Sequence, residues 1–353
     1  MLGWCYRGMT FIEPCLRAAV PVAFAMLVQG NTLLKLHNKH FKRSNDRPGF
    51  TLSLDCEGLW GMADQDDVVN AGLINDVSLQ SAYAFLLATL SRSNLKATAA
   101  FVTSFAAEPD AVCDNMPIFE QMAALNPGWF ENVLPALRKG TLDGWRGADF
   151  YRAIASAGHE MAWHGTTHLS LSDQTAPEAL ALELELTSKL LPALGHSPRT
   201  IVFPRNQVGH LRQLRSHGFE TYRASLSGGF TNRLSGLLNE WNIFDRHVTE
   251  IPRFEDSWHV SPAGNFLNWP SGVRSLVPAS VTVRRWKSLL RNAAEQGGYV
   301  HMWFHPHNLI TAPAMKEAFE DIMGLVGKMA KSGDIVNLTM SEANEYYKTG
   351  PLE

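Results

Sequence analysis

Two histidines in the segment MAWHGTTHLS, residues 161–170, are the first residues whose type and spacing could do chemistry. His164 and His168 lie four residues apart, directly after a short apolar run. Two imidazoles and one carboxylate form a ligand set that zinc hydrolases use, because it leaves positions for water and substrate. Histidine pairs at this spacing also arise by chance, so a metal site requires a matching carboxylate elsewhere in the chain.

The segment LSLDCEGLWG, residues 52–61, offers two carboxylates, Asp55 and Glu57. They lie two residues apart at the end of a predicted strand, so strand alternation points both side chains to the same side. In a partly desolvated pocket, two neighbouring carboxylates do not both ionise without a partner. We therefore expect one to bind a cation and the other to act as a base, and the residue types leave the assignment open. A solvated acidic turn is the alternative.

Two further segments supply a cation and an acid. Arg205 in VFPRNQ follows a predicted strand, and its planar guanidinium could orient a carboxylate base or hold an anionic group of a substrate. His305 in MWFHPHNL follows another predicted strand and could act as a general acid. Taken singly, each is explained equally well as an ordinary polar residue at a strand end.

The elements that must position these residues are predicted to alternate between strand and helix from residue 49 almost to the end of the chain. This order favours a parallel α/β architecture, with a barrel or barrel-like sheet. Residues 78–94 have helical spacing with Ser78 as N-cap, and residues 177–195 form a second predicted helix. In α/β barrels the carboxyl ends of the strands carry the site, so the strand-end residues are expected to meet at one rim.

Two stretches interrupt the alternation, residues 106–146 and residues 225–275. The first contains four prolines and the second is rich in glycine, asparagine and aromatic residues. Both are predicted to be irregular insertions, and long loops of this kind are usually lids or binding loops.

Composition bounds the class of protein. The chain has 353 residues, a formal charge of −3 and 45% hydrophobic residues, which suits one large or two modest globular domains. No basic stripe is present, so nucleic acid is not an expected partner. Four cysteines without a CxxC pair favour a reducing compartment.

The N-terminal residues 1–48 are predicted to be an extension and linker. Their apolar run, residues 18–28, is too short to span a bilayer. Residues 11–36 could contact a membrane surface peripherally, and we expect a cytoplasmic or membrane-peripheral location rather than secretion.

Together, the four segments resemble the motifs of the polysaccharide deacetylase (NodB-homology, carbohydrate esterase) family. The stretch SLDCEG corresponds to the family's TFDDG, and His164 and His168 correspond to its H-(S/T)-x-x-H. Pro204 and Arg205 stand for its arginine–proline motif, and His305 stands for its late acid histidine. The resemblance covers residues 49–345 and leaves 346–353 as a tail. It implies a distorted (β/α) barrel, and the residues that precede the resemblance are expected to form an N-terminal helical extension.

The resemblance also implies roles for these residues. Glu57, His164 and His168 are expected to hold a divalent metal, zinc above others, with Asp55 possible in place of Glu57. Asp55 is expected to be the base, Arg205 to orient it, and His305 to be the acid. Substrate contacts are expected from residues beside the motifs: Trp60, Asn206 and His307. The implied activity is removal of N-acetyl groups from a glycan or amino-sugar substrate, with release of acetate.

The sequence departs from the family pattern at several positions. The second carboxylate is moved by one residue, and the arginine follows its proline. Gly165 replaces the usual serine or threonine, which removes a side-chain hydrogen bond that could brace the loop. Asp256 and Trp258 are weak candidates for the group that tunes His305. Two alternatives therefore stay open: an allantoinase-like amidohydrolase acting on a small cyclic amide, and a non-catalytic glycan-binding protein. Oligomeric state is not indicated.

Overall fold

The computed structural model describes residues 47–225, 250–268 and 276–347. The chain divides after residue 46, and all described residues belong to the unit 47–353. The predicted extension, 1–48, therefore lies almost wholly outside the described residues, and so does the membrane contact predicted for 11–36. Most of the tail and more than half of the second insertion lie outside them as well. The boundaries and the location stay predictions.

Ten strands of the described residues form one sheet. They are β1 (Gly49–Cys56), β2 (Thr98–Phe101), β3 (Glu160–Trp163), β4 (Thr200–Ile201), β5 (Thr221–Arg223), β6 (Arg253–Glu255), β7 (Trp258–Ser261), β8 (Asn265–Phe266), β9 (Tyr299–Phe304) and β10 (Val336–Asn337). Their order is β6-β7-β5-β4-β3-β2-β1-β9-β8, and β10 pairs with β1. Only the β6–β7 pair among these is antiparallel. The predicted parallel α/β architecture is confirmed.

Strand β1 occupies the middle of the sheet between β2 and β9. All eight of its residues are buried. Its sequence, GFTLSLDC, alternates between apolar and polar residues, so one face of the strand is apolar and the other carries Thr51, Ser53 and Asp55. Phe50, Leu52 and Leu54 belong to the main hydrophobic core. The two acids at the end of this segment, Asp55 and Glu57, are consequently carried into the interior.

Helices pack around the sheet. They are α1 (Asp66–Ala71), α2 (Asp76–Ser93), α3 (Thr103–Ala106), α4 (Pro109–Cys113), α5 (Met116–Leu125), α6 (Pro127–Phe130), α7 (Val133–Lys139), α8 (Ala148–Ser156), α9 (Pro177–Leu190), α10 (Leu211–Ser216), α11 (Ala279–Gln296), α12 (Asn308–Thr311), α13 (Ala314–Ser332) and α14 (Met340–Tyr346). Single 3₁₀ turns cover Gly58–Met62, Leu191–Leu194 and Pro204–Asn206. None of the helices that the structure describes is long and apolar enough to cross a membrane.

Two local predictions need correction. The stretch 106–146 is not irregular, because it contains the four short helices α4 to α7. Three of these helices have proline in their first or second position, where its missing N–H costs no hydrogen bond. The N-cap of α2 is Asn75 instead of Ser78, and the two side chains form a reciprocal capping box.

The sheet is strongly curled. Arg223 on β5 forms a salt bridge with Asp55 on β1, although β4, β3 and β2 lie between these strands in the sheet order. In a flat sheet, four steps of about 4.8 Å would separate the two strands by about 19 Å, which is beyond the reach of an arginine side chain. The contact therefore crosses the concave side of a half-barrel, as the predicted barrel-like fold requires.

Candidate active site

The carboxyl ends of three strands bring the predicted residues together. Asp55 is the penultimate residue of β1, and Glu57 follows that strand directly. His164 follows β3, and His305 follows β9. Because these strands are parallel and lie near one another in the sheet, their ends share one edge. His168 follows four residues after His164, and its ring lies beside that of His164, with ring centres 4.8 Å apart.

Glu57, His164 and His168 form a buried cluster that could hold a metal ion. One oxygen of Glu57, Oε2, lies 2.8 Å from Nε2 of His168 and 3.2 Å from Nε2 of His164. Nδ1 of His164 lies 2.6 Å from the carbonyl oxygen of Val202, which can only accept, so this nitrogen carries the proton. A neutral His164 then presents a lone pair from Nε2 to a carboxylate oxygen. Two acceptors in this position need a proton or a cation between them, so the residues fit a metal.

The charges of the cluster suit metal ligands. Burial would raise the pKa of Glu57, but nearby His305 and His168 and the hydrogen bonds of the two cluster histidines hold that pKa well below its usual range. Burial lowers the pKa of His168. At His164, burial is outweighed by the hydrogen bond to Glu57 and the charge of Asp55, and the pKa is raised. An ionised carboxylate and neutral imidazoles are the states that bind a cation, so metal affinity would be greatest once His164 has lost its second proton.

Asp55 is held separately from this cluster, by Arg223. The guanidinium donates two parallel hydrogen bonds, from Nη1 to Oδ1 at 2.8 Å and from Nη2 to Oδ2 at 2.7 Å. Arg223 also donates to Oγ of Ser53 and to Oδ1 of Asn206, and its guanidinium carbon lies 4.4 Å from the centre of the Trp303 ring. Burial would raise the pKa of Asp55, but Arg223 outweighs it and lowers that pKa. Asp55 is therefore an ionised carboxylate in a fixed orientation.

Arg205 does not orient Asp55, and that predicted contact is wrong. The strand β4 ends at Ile201, and Arg205 lies four residues further, in a 3₁₀ turn with a left-handed backbone (φ 57°). Its side chain is partly exposed, pairs with Asp64 at 2.5 Å and lies 4.3 Å from the ring centre of Trp129. Sequence reasoning overlooked Arg223, although one signal was available. A charged residue inside a predicted buried strand must find a partner.

His305 stands at the open side of the site. Its side chain is 24% exposed, and Nε2 lies 3.5 Å from Oε1 of Glu57 and 3.9 Å from Oδ2 of Asp55. Nδ1 lies 3.2 Å from Oδ1 of Asn308. This amide occupies the position for which Asp256 was a candidate. Asp256 is exposed in the turn between β6 and β7, and Trp258 is buried against Tyr222.

The residues predicted to contact substrate have other surroundings. Trp60 is 1% exposed and donates a hydrogen bond from Nε1 to the carbonyl oxygen of Trp145, so it belongs to the core. His307 is buried and stacks on His305 with ring centres 4.9 Å apart. Together with Glu57 and His305 it forms a second group of potential metal ligands. Asn206 is half-buried, and its oxygen accepts from Arg223. Trp60 is thus too buried for substrate contact, and Asn206 helps to position the arginine.

Comparison with known proteins agrees with the geometry. The model of the family described as "Polysaccharide deacetylase" matches residues 67–221. The match includes His164 and His168, and it ends at Thr221, two residues before Arg223. Asp55, Glu57 and His305 lie outside the match and are placed by the structure. No curated protein matches the sequence significantly.

Solved structures share the fold at low sequence identity. A protein assigned as a polysaccharide deacetylase from Mycobacterium smegmatis is 17% identical, with 87% of this chain and 92% of that chain covered and a TM-score of 0.53. One from Pseudomonas aeruginosa PAO1 is 13% identical, with 86% and 91% covered and a TM-score of 0.53. The allantoinase PuuE is 13% identical, with 87% and 92% covered and a TM-score of 0.53. Residues 67–221 of the chain are thus similar to the polysaccharide deacetylase family model, and the described part of the chain shares the half-barrel fold of these solved structures.

Proposed function

We propose that this protein is a metal-dependent hydrolase that removes N-acetyl groups from an amino-sugar unit of a glycan or sugar precursor and releases acetate. The observation that carries the proposal is the buried Glu57–His164–His168 cluster beside an arginine-held carboxylate, Asp55, and a partly exposed histidine, His305. These are the parts that hydrolysis of an amide needs: a metal site, a base and an acid. Zinc is the expected metal because the set contains two imidazoles and one carboxylate.

A divalent cation held by Glu57, His164 and His168 would supply Lewis-acid polarisation of the amide carbonyl and of the attacking water. Both histidines use Nε2 toward the cluster, and His164 is kept in that tautomer by its bond from Nδ1 to Val202. Glu57 is the better ligand of the two acids because one of its oxygens already faces both imidazoles. Asp55 has both oxygens turned to Arg223 instead.

Asp55 is proposed to take a proton from the attacking water. Arg223 keeps it ionised and fixes its orientation, which is what a base needs before the reaction starts. The remaining lone pairs of its two oxygens are available to the proton, since each oxygen accepts one hydrogen bond from the guanidinium. Addition of water to the acetyl carbon gives a tetrahedral species, whose negative oxygen must be stabilised for the rate to rise.

His305 is proposed to donate a proton to the leaving amine. Its Nε2 faces both carboxylates of the site, at 3.9 Å from Oδ2 of Asp55 and 3.5 Å from Oε1 of Glu57. Asn308 accepts from Nδ1 and so directs the other nitrogen into the site. As the C–N bond breaks, the amine takes this proton, and the products are acetate and a free amino group.

A cyclic-amide hydrolase is the second candidate, and the fold shared with the allantoinase PuuE favours it. Substrate identity separates the two. Acetate release from N-acetylated oligosaccharides supports the deacetylase, and ring opening without acetate supports the alternative. A glycan-binding protein without catalysis has no need of a buried acid, base and ligand set, so it is the weakest of the three.

The first experiment measures the metal content of the purified protein and acetate release from N-acetylated oligosaccharides. We expect about one zinc per chain, loss of this zinc in His168→Ala, and its retention in the matched control His196→Ala, which removes an exposed histidine outside the cluster. Asp55→Asn should abolish turnover and keep the metal. Loss of metal in Asp55→Asn, with retention in Glu57→Gln, would show that the two acids have the opposite roles.

A further inference from the structure

The loop between the two cluster histidines is held in place by hydrogen bonds to one buried carboxylate. Glu183 lies in the middle of helix α9 and is fully buried. Its Oε1 accepts hydrogen bonds from the backbone N–H of Thr166 at 2.5 Å and of Thr167 at 2.9 Å. Its Oε2 accepts from the hydroxyl of Thr167 at 2.8 Å. A buried carboxylate with three donors is fixed in place, and it fixes those donors in turn.

The two histidines differ in what orients their rings. Nδ1 of His164 is bonded to the carbonyl oxygen of Val202, which sets the direction of that ring. Nδ1 of His168 is buried and has no hydrogen-bond partner among the residues that the structure describes. Metal-binding histidines almost always use their second nitrogen for an orienting bond. The direction of His168 must therefore come from its backbone and from packing.

The backbone that leads into His168 is held on both sides of Thr167. Thr167 is bound to Glu183 through its N–H and its hydroxyl, and its carbonyl oxygen accepts from Nε1 of Trp129 at 3.0 Å. The Trp129 ring also stacks on the His168 ring, with centres 5.7 Å apart. His168 itself has a left-handed backbone (φ 60°), which is uncommon for a residue with a side chain. Such a conformation persists only where its surroundings enforce it.

Gly165 allows the carboxylate to approach. A Cβ atom at this position would lie 3.1 Å from Oε1 of Glu183 and 3.0 Å from Cγ of Pro204, and the backbone is left-handed (φ 74°). The sequence suggested that glycine here leaves the loop without a brace. In the structure, the brace reaches the loop from helix α9 instead.

We propose that Glu183 is a positioning residue for His168: it sets the direction of that imidazole through the backbone of Thr167, in place of a hydrogen bond to the ring. This inference rests on the proposed function, since it gives His168 a metal to bind. Glu183 belongs to neither group of potential metal ligands among the described residues. Substitution of Glu183 should therefore lower the affinity for the metal, and any loss of activity should follow from that lower affinity.

The test compares zinc affinity, by competition with a chromogenic chelator, in wild type, Glu183→Gln and Glu183→Ala. Glutamine keeps an acceptor for the two N–H groups but loses the charge and the second acceptor, and alanine loses all three bonds. We expect the dissociation constant to rise by about 10-fold to 100-fold, more for alanine than for glutamine. The visible spectrum of the cobalt-loaded protein should change in the same order, because it reports the ligand geometry.

The matched control is Glu185→Gln, which removes an exposed carboxylate of the same helix that pairs with Lys189 at 3.7 Å. It should leave the zinc affinity and the cobalt spectrum unchanged. If Glu183→Ala does not fold, Glu183→Gln decides. A lower melting temperature with unchanged zinc affinity would make Glu183 a purely structural residue and overturn the inference, while the proposed function would stand. Absence of zinc binding in the wild type would overturn both.

Discussion

Replacement of Arg223 by glutamine is the sharpest test of how the site is built. The change removes the two hydrogen bonds to Asp55, of 2.8 Å and 2.7 Å. It also removes the positive charge of Arg223, the only permanently charged cation that contacts Asp55 among the described residues. Both side chains are almost completely buried, at 1% and 2% exposure. The Asp55 carboxylate that remains is almost completely shielded from bulk solvent.

The expected cost follows from that burial. Removing one partner of a buried ion pair leaves an uncompensated charge and destabilises a protein by about 3–5 kcal/mol. The matched control is Arg205→Gln, whose pair with Asp64 is more than one-third exposed and is therefore screened by water. Pairs of that kind contribute about 0–1 kcal/mol. Denaturation in urea at neutral pH measures both losses as free energies of unfolding.

The pH dependence supplies a second readout with a defined sign. In the wild type, Arg223 depresses the pKa of Asp55, so the stabilisation is present above the unfolded value of about 3.9 and is lost as the pH falls below it. In Arg223→Gln, burial is the largest remaining influence and should raise the pKa of Asp55. Its cost should then be largest at neutral pH and decrease toward about pH 4, where the carboxyl is protonated.

The reasoning would be refuted by equal, small losses in Arg223→Gln and Arg205→Gln, or by a loss that does not change between neutral and acidic pH. If Arg223→Gln fails to fold, Arg223→Lys serves instead. Lysine keeps the charge but cannot form the bidentate pair, so a smaller loss in the same direction is expected.

Three further predictions concern the site and its support. His305→Ala should lower the rate on an acetamide substrate by about 100-fold to 10,000-fold, and far less on an activated aryl acetate, whose leaving group needs no proton; equal losses on both would contradict the acid role. Glu57→Gln should weaken zinc binding at least as much as His168→Ala, as measured by chelator competition, because it removes the charged member of the cluster. Trp60→Ala should lower the free energy of unfolding, measured by urea denaturation, by about 3–5 kcal/mol, because it leaves a cavity where the buried indole was. Because Trp60 is a core residue, Trp60→Phe should lower stability and leave the KM for glycan substrates unchanged.

Much of the site could be predicted because its residues follow strands that have a strong local pattern. The segment GFTLSLDC alternates between apolar and polar residues, as a strand does, and has an acid near its end, so Asp55 and Glu57 were placed at a strand end from the sequence alone. His164 and His305 were placed in the same way. Parallel strands put such residues at one edge, whichever helices connect them.

The error at Arg205 has a physical cause. A strand of two residues, β4, carries little sequence pattern, so its end was misjudged by several residues. The left-handed backbone at Arg205 and at Asn206 then turns the chain in a direction that residue types do not reveal. The prolines of 106–146 misled in the opposite way, because three of the four stand at the beginning of a helix where they were taken to interrupt one.

The sequence by itself determined the alternation of strands and helices, the two cluster histidines and the acids at the end of β1. Only the tertiary structure decided which cation holds Asp55, which side chain directs His305 and what braces the loop before His168. Asp55 and Arg223 are separated by 168 residues, and Asp55 and His305 approach across neighbouring strands. Local propensity fixes where a strand ends. Contacts across the concave side of a sheet depend on how far it curls, and that curvature is set by the packing of the whole core.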